Sequence, residues 1–259
     1  MNVRLAGAAL LLMVVGLIGC AANVPPPAVP GQATPAAETA DAAWSRVLAA
    51  RVDAQGRIDF AGLAGDRADL DTYVAWIAEV SPTSSPGSFG GPEARLAYYI
   101  NAYNALAMYN VVRSGVPFHQ PRDKVRFFYN DRLLVGGQRI SLYAFENDVI
   151  RPLGDPRIHF ALNCMVKSCP RLPREPFAAE KLEAQLDAAA REFLNDKRNV
   201  EPFPPRRVVR LSMILHWYEK DFLAKAPSLA AYVDRYRPEP LPAGEEIEFI
   251  EYDWALNAQ

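Results

Sequence analysis

The sequence predicts a single α+β domain over residues 42–259, with helices clustered early and a small, mainly antiparallel sheet. Three observations carry that reading. Helical spacing of apolar residues dominates the first half, short β-branched runs fall in the second, and no segment repeats. Trp44, Val47 and Leu48 give a short helix face, and Asp53 to Phe60 reads as a turn followed by a short strand. Leu70, Tyr73, Val74, Ile77 and Val80 recur at helical spacing, which predicts an amphipathic helix over 66–80. A Pro, Ser and Gly loop from Ser81 to Pro92 ends it. Residues 93–114 form the longest apolar helix, stopped by Gly115 and Pro117. Leu133 to Ile140 reads as a hairpin turning at Gly136-Gly137, and Ser141 caps a helix to about Arg151. Further on, Arg157 to Leu162 reads as a strand, 177–195 as a long amphipathic helix and Arg207 to Leu211 as a strand. A helix over 212–222 capped by Ser212, a helix from Ala230 to Tyr236 and a last strand from Ile247 to Tyr252 complete the prediction.

Composition excludes several functions. Half of the 259 residues are apolar, with 12 Phe, 11 Tyr and 4 Trp, so the chain is not disordered. A net charge of −2 and a pI near 6.0 supply no clustered basic surface for nucleic acid. Three cysteines are too few for a disulfide scaffold. The expected partners are a membrane, reached through a lipid anchor, and a small molecule, peptide or protein of unknown identity.

The membrane expectation comes from the amino terminus. Arg4 is the only charge before Glu38, and the apolar run from Leu5 to Ile18 behind it makes residues 1–19 a signal-peptide pattern. Leu17-Ile18-Gly19-Cys20 looks like a bacterial lipobox, which implies a diacylglycerol on the Cys20 thiol and cleavage just before it. The alternative is a membrane span, since the apolar stretch can be extended to Ala22, but no Lys or Arg follows before Arg46 to stop transfer. Ala21 stands where an Asp would retain a lipoprotein in the inner membrane, so the expected location is the outer membrane, facing the periplasm. Residues 20–41, with Pro25, Pro26, Pro27, Pro30 and Pro35 among alanines, read as an extended tether.

Four segments place polar groups where a plain core would not. Asn101 and Asn104 share a face of the most apolar helix; each is either a structural amide or an orienting or oxyanion group. His159 precedes Cys164 and Cys169 in one short stretch, so a base and a thiol nucleophile lie close in sequence. Two alternatives stand beside that reading. An oxidising compartment could join Cys164 to Cys169, or the three residues could ligate a metal for which a fourth ligand is lacking. In the third segment, Leu211 to Phe222, His216 reads as a packed residue and Asp221 sits near a helix end. In the fourth, Tyr252 to Asn257, a Trp-bearing tail is expected to dock on the core, with Asp253 orienting a neighbour. Glu146 is a further carboxylate to watch. Nothing in the pattern calls for a cofactor.

Together these segments carry a resemblance. Tyr-Ile-Asn-Ala-Tyr-Asn-Ala-Leu (99–106), Ser-Leu-x-x-x-Glu (141–146), Arg-Ile-His-Phe-Ala-Leu-Asn-Cys (157–164) and Ser-Cys-Pro (168–170) come in that order. Leu-Ser-x-Ile-x-x-Trp-Tyr-x-x-Asp-Phe (211–222) and Tyr-Asp-Trp-x-Leu-Asn (252–257) follow. The set resembles the domain-of-unknown-function 547 family of bacteria and plants, from about Trp44 to Asn257. That family name implies no activity. Met165-Val166 departs from the small residues expected between the two cysteines. A looser likeness concerns layout: a helix ending in Gly115-Val116-Pro117, followed by a strand bearing His159, is similar to transglutaminase-like and papain-like thiol enzymes. In those folds the nucleophilic cysteine begins the helix, where this chain has Asn101 or Asn104. The sequence therefore supports either a thiol hydrolase or acyl transferase acting on amide or peptide bonds, with Cys169 as nucleophile, His159 as base and Cys164 as helper or redox partner, or a non-catalytic envelope protein with a Cys164–Cys169 disulfide.

Overall fold

The structure is a computed structural model that describes residues 21–27, 34–115 and 120–259. Residues 1–19, expected from the sequence to be a signal peptide, and Cys20, Pro30, Pro117 and His119 lie outside the described residues. Ala22–Asn23 forms β1, followed by four helices: α1 (Ala37–Arg51), α2 (Phe60–Gly65), α3 (Ala68–Glu79) and α4 (Pro92–Ser114). Then come α5 (Pro121–Val125), the hairpin β2 (Asp131–Val135) and β3 (Gln138–Ile140), and α6 (Leu142–Ala144), which widens into a π-turn over Phe145–Ile150. α7 (Leu182–Asn195), β4 (Val200–Phe203), β5 (Val208–Ser212), α8 (Met213–Trp217), α9 (Glu219–Leu223), α10 (Leu229–Asp234) and β6 (Glu246–Ile250) complete the chain.

The α+β class holds, with helices first, but the strands form two small mixed sheets. In one, β2 pairs parallel with β1 and antiparallel with β3; in the other, β5 pairs antiparallel with β4 and parallel with β6. The parallel partners come from segments far away in sequence, which strand patterning alone does not connect.

α4 is the centre of the larger core. Every residue from Leu96 to Val111 is buried, so the helix is covered all round. α1 and α3 pack on one another and α3 on α4, with Trp44 stacked on Tyr73 at 5.3 Å. The helix ends where Gly115 takes a left-handed φ of 58° and donates its N–H to Val111 O. The hairpin turn also needs glycine: Gly136 has φ 55°, and a Cβ there would meet Ser81 Oγ at 2.1 Å. A second, smaller core gathers α7, β5 and α10 around Phe160 and Phe222.

Three segments depart from the sequence reading. Arg157 to Leu162 is not a strand; Pro156–Phe160 is a 3₁₀ turn begun by Pro156 and capped by Asp155, whose carboxylate accepts the Arg157 N–H at 2.9 Å. At three residues per turn, consecutive side chains point in three directions. Ile158 thus enters the larger core and Phe160 the smaller, with His159 between them. The 212–222 helix breaks at Tyr218 (φ −110°, ψ 22°) into α8 and α9. The tether assignment also changes at both ends. Ala37 to Asp41 belong to α1, and Val24 is buried, its N–H donating to Arg132 O at 2.9 Å while Val24 O accepts from Arg139 at 3.3 Å. A Pro-rich stretch cannot build its own core, yet its backbone groups can still complete the edge of an existing sheet. Among the described residues no helix is long and apolar enough to cross a membrane.

Arg207 sits exposed in the turn between β4 and β5 with φ 54°, a conformation that costs a non-glycine residue about 1–2 kcal/mol. Arg207→Gly is therefore expected to raise the unfolding free energy by about 0.5–1 kcal/mol, after allowing for the greater unfolded-state freedom of glycine. Urea denaturation measures this, and a destabilised variant would show that the arginine side chain holds the turn.

Candidate functional site

One cavity of about 460 Å³ opens between the two cores, and both Cys164 and Cys169 line it. The loop bearing them is fixed from below by two buried amides. Asn104, on α4, donates its Nδ2 to Ala161 O at 3.0 Å and accepts the Asn163 N–H on Oδ1 at 2.7 Å. Asn163 accepts the Met165 N–H and donates to Pro170 O, both at 2.6 Å, which ties the two ends of the loop together. Met165 takes a left-handed φ of 71° and is fully buried.

From above, the loop is covered by the chain after β6. Lys167 N–H donates to Ala255 O at 2.9 Å, Ser168 N–H to Asp253 O at 3.2 Å, and Asn257 N–H to Met165 O at 2.9 Å. The tail therefore docks on the core, with Asp253 Oδ1 accepting the Ala255 N–H at 2.8 Å. It carries Tyr252, whose hydroxyl lies 3.4 Å from Cys169 Sγ and 3.7 Å from Cys164 Sγ.

The two thiols are free and unequal. Cys164 N–H donates to Cys169 Sγ at 3.1 Å. Burial opposes ionisation of Cys169, but hydrogen bonds from Cys164, from Tyr252 and from backbone amides outweigh it and hold this thiol below its ordinary value. Cys164 is pushed well up, first by the hydrogen bond its thiol donates to the Cys169 sulfur and then by burial. The arrangement favours a thiolate on Cys169, with Cys164 protonated beside it.

A second group faces the same cavity. His159 is buried; its Nε2 lies 2.8 Å from Asp221 Oδ2 and its ring stacks on Tyr218 at 3.8 Å. Burial would raise Asp221, but His159 and Arg151 overcome that and hold its carboxyl far below the usual range. Arg151 grips the same carboxylate with two bonds of 2.8 and 2.9 Å. An ionised Asp221 only accepts, so Nε2 of His159 carries a proton. His159 Nδ1 is buried without a hydrogen bond, 3.9 Å from Glu146 Oε1.

Glu146 stands on the π-turn, where the wider coil turns its side chain inward. Burial raises its carboxyl above the ordinary value, partly offset by Tyr218, His159, Arg151 and Tyr103. Tyr103 on α4 donates to Oε2 at 3.4 Å.

Of the residues singled out in the sequence, Cys164, Cys169, His159 and Glu146 meet in one cavity. His159 shares it with the thiols, yet its ring nitrogens engage Asp221 and face Glu146 instead of reaching sulfur. Asn104 supports the loop through its backbone. Asn101 stands apart: its amide clamps Phe177, donating to its C=O at 2.7 Å and accepting its N–H at 3.0 Å, and also accepts from Trp44. Asn101 does not line the cavity, so its amide serves packing and not a substrate. His216 is exposed beside Phe249, with ring centres 4.5 Å apart, so it is not the packed core residue expected. Cys20 lies outside the described residues. Sequence reasoning missed Arg151, Tyr218 and Tyr252, and placed Asp221 near a helix end without a partner. Their signal was the order Trp-Tyr-x-x-Asp and Tyr-Asp-Trp, polar groups recurring among exposed aromatics. Among the described residues no cluster of three or more His, Cys, Asp or Glu is arranged to hold a metal ion.

Residues 90–194 match the family model described as protein of unknown function, DUF547. The matched stretch holds both cysteines, His159 and Glu146, whereas Tyr218, Asp221 and Tyr252 lie beyond it. Nothing matches among curated proteins or among solved structures.

The raised carboxyl of Glu146 has a measurable consequence. As pH rises through the ordinary value of 4.5, the unfolded chain loses this proton while the folded protein still holds it, so folding loses stability up to the folded value and stays weaker above it. Glu146→Gln should therefore melt higher than wild type at neutral pH, with an advantage that shrinks as pH falls toward 4.5. A melting-temperature difference independent of pH would refute the assignment.

Proposed function

We propose that this protein is an envelope thiol hydrolase or acyl transferase acting on an amide or peptide bond, with Cys169 as nucleophile. The observation that carries the reading is the set of donors on one sulfur: the Cys164 N–H at 3.1 Å and the Tyr252 hydroxyl at 3.4 Å, in a cavity shared with a buried carboxyl raised above its ordinary value. Environments that push Cys169 down and Glu146 up divide nucleophile from acid.

In the first step the Cys169 thiolate attacks the carbonyl carbon, and Tyr252 donates to the developing oxyanion as the sulfur spends its charge on the new bond. Collapse breaks the C–N bond, and Glu146 gives its proton to the departing amine, leaving a thioester and a carboxylate. Glu146 then takes a proton from water, whose hydroxide cleaves the thioester to release the acid and restore the thiolate; an amine in place of water gives acyl transfer. His159, expected from the sequence as a direct base, acts here through Glu146, stabilising its ionised form. Asp221 and Arg151 orient that imidazole.

The sequence supports placing this chemistry on a lipoprotein, anchored through Cys20 in the outer membrane and facing the periplasm. Metabolic palmitate labelling should mark the wild type, and Cys20→Ser should lose the label and appear in the soluble periplasmic fraction. Label retained in that variant would disprove the anchor.

A second reading rests on the hydrogen bond between the two thiols, because adjacent thiols can also close a disulfide and leave a non-catalytic binding or scaffold protein. An activated ester such as p-nitrophenyl acetate separates the two. The thiol enzyme should show a burst of p-nitrophenol and an acyl group on Cys169 by peptide mapping. The burst should vanish in Cys169→Ala, while Glu146→Gln should slow amide turnover by about 100-fold and leave the burst intact. Absence of any titratable thiol in periplasmically produced protein, or acylation of Cys164 alone, would sink the proposal.

A further inference from the structure

Around the mouth of the cavity stand large aromatic side chains, some open to solvent and some half-buried. Tyr129 and Tyr143 stack at 4.5 Å, and Trp217, Tyr252 and Trp254 form a cluster with centroids 4.7–5.8 Å apart. Tyr129, Tyr143 and Trp217 are each 43–47% exposed, so these rings are not spent on the core. Exposed apolar surface of this kind at a cavity mouth marks a ligand with a flat or aliphatic body.

The polar groups nearby decide what else that ligand carries. Arg151 is committed to Asp221 and Asn147. The amide of Asn147 is committed in turn, donating to Tyr143 O at 2.8 Å and accepting from Arg151. Sugars also stack on aromatic faces, but they need several uncommitted side chains for their hydroxyls, and these two are already used. Lys124 differs. Its ammonium lies 3.9 Å from the centre of the Trp254 ring, and among the described residues no carboxylate pairs with it. Partial burial pulls it below its ordinary value, so its hydration is incomplete. The mouth thus offers rings and one unpaired positive charge. Trp254 also touches Tyr252, which reaches both sulfurs, so the cation is joined to the thiols through two rings.

We infer that the cavity takes short peptides ending in a free carboxylate, the apolar side chain seated among Trp217, Tyr252 and Trp254 and the carboxylate on Lys124. This rests on the thiol reading of the site and narrows it to carboxyl-terminal peptide substrates.

The test measures binding apart from chemistry. N-acetyl-Phe-Ala and its neutral carboxamide are titrated into the full-length Cys169→Ala protein, with fluorescence of the two mouth tryptophans as the signal, since Trp44 and Trp76 are buried. The acid should bind about tenfold more tightly than the amide, as a partly desolvated charge-assisted contact would give. That ratio should fall to near one when Lys124→Gln is added and return with Lys124→Arg. N-acetyl-Ala-Ala should bind more weakly than either phenylalanine peptide. Equal binding of acid and amide, a ratio unchanged by Lys124→Gln, or no binding of either peptide overturns the inference. If discrimination fails while Cys169 in the otherwise native protein is still acylated by the ester, the peptide assignment falls and the thiol enzyme stands. If discrimination holds and Cys169 never acylates, the reverse is true.

Discussion

The site depends on two buried amides that hold a loop the chain would otherwise avoid. Asn104 and Asn163 together make four hydrogen bonds to backbone groups between Ala161 and Pro170. Each bond contributes about 1 kcal/mol net, but a buried partner left unpaired costs about 1–3 kcal/mol, so the set acts as a unit. It accommodates Met165 in a left-handed conformation, and that turn brings the Cys164 N–H onto Cys169 Sγ. A helix buried on every side, α4, gains from the same bonds, since its two central asparagines would be costly without partners. Asn101 meets that need at Phe177, and Asn104 meets it at the thiol loop.

Four ionisable groups follow one another across the cavity: Arg151, Asp221, His159 and Glu146. The two carboxyls on either side of one imidazole have opposite fates. Asp221, at the partly open end and gripped by Arg151, is held far below the usual carboxylate range; Glu146, at the closed end, is raised above it by burial. His159 is held between them by a stack on Tyr218 and an edge contact with Phe222. The break between α8 and α9 makes this possible. A continuous helix would place Tyr218 and Asp221 on one face a turn apart, whereas the break lays the ring flat on the imidazole and lets the carboxylate reach its edge.

The helices of the first half were legible because long apolar periodicity and terminal Gly and Pro leave few alternatives, and α3 and α4 fall within two residues of expectation at each end. Arg157 to Phe160 was misread because a short apolar run fits strand and 3₁₀ turn equally; only the presence of two cores, unseen in sequence, selects the turn. The short strands β1 and β4 carry Pro or almost no β-branched residues and exist through their partners. In the site, Cys164, Cys169, His159 and Glu146 were visible as reactive types out of place. Asp221 and Tyr252 were not assigned, because their roles arise from contacts across 62 and 83 residues that no local pattern encodes. Asn101 and Asn104 looked alike in sequence and differ only in which loop each grips.

The tail over the thiol loop also constrains how the molecule can form. Contacts between Cys169 and Tyr252 span 83 residues, so closing them costs more chain entropy than forming the local helices and the hairpin. Until residues 252–257 dock, Cys164 and Cys169 lie under no cover, and any partly folded intermediate presents two thiols to whatever oxidant surrounds it. The same tail that completes the pocket therefore acts during folding as its shield, and the order of assembly decides whether the pair arrives reduced.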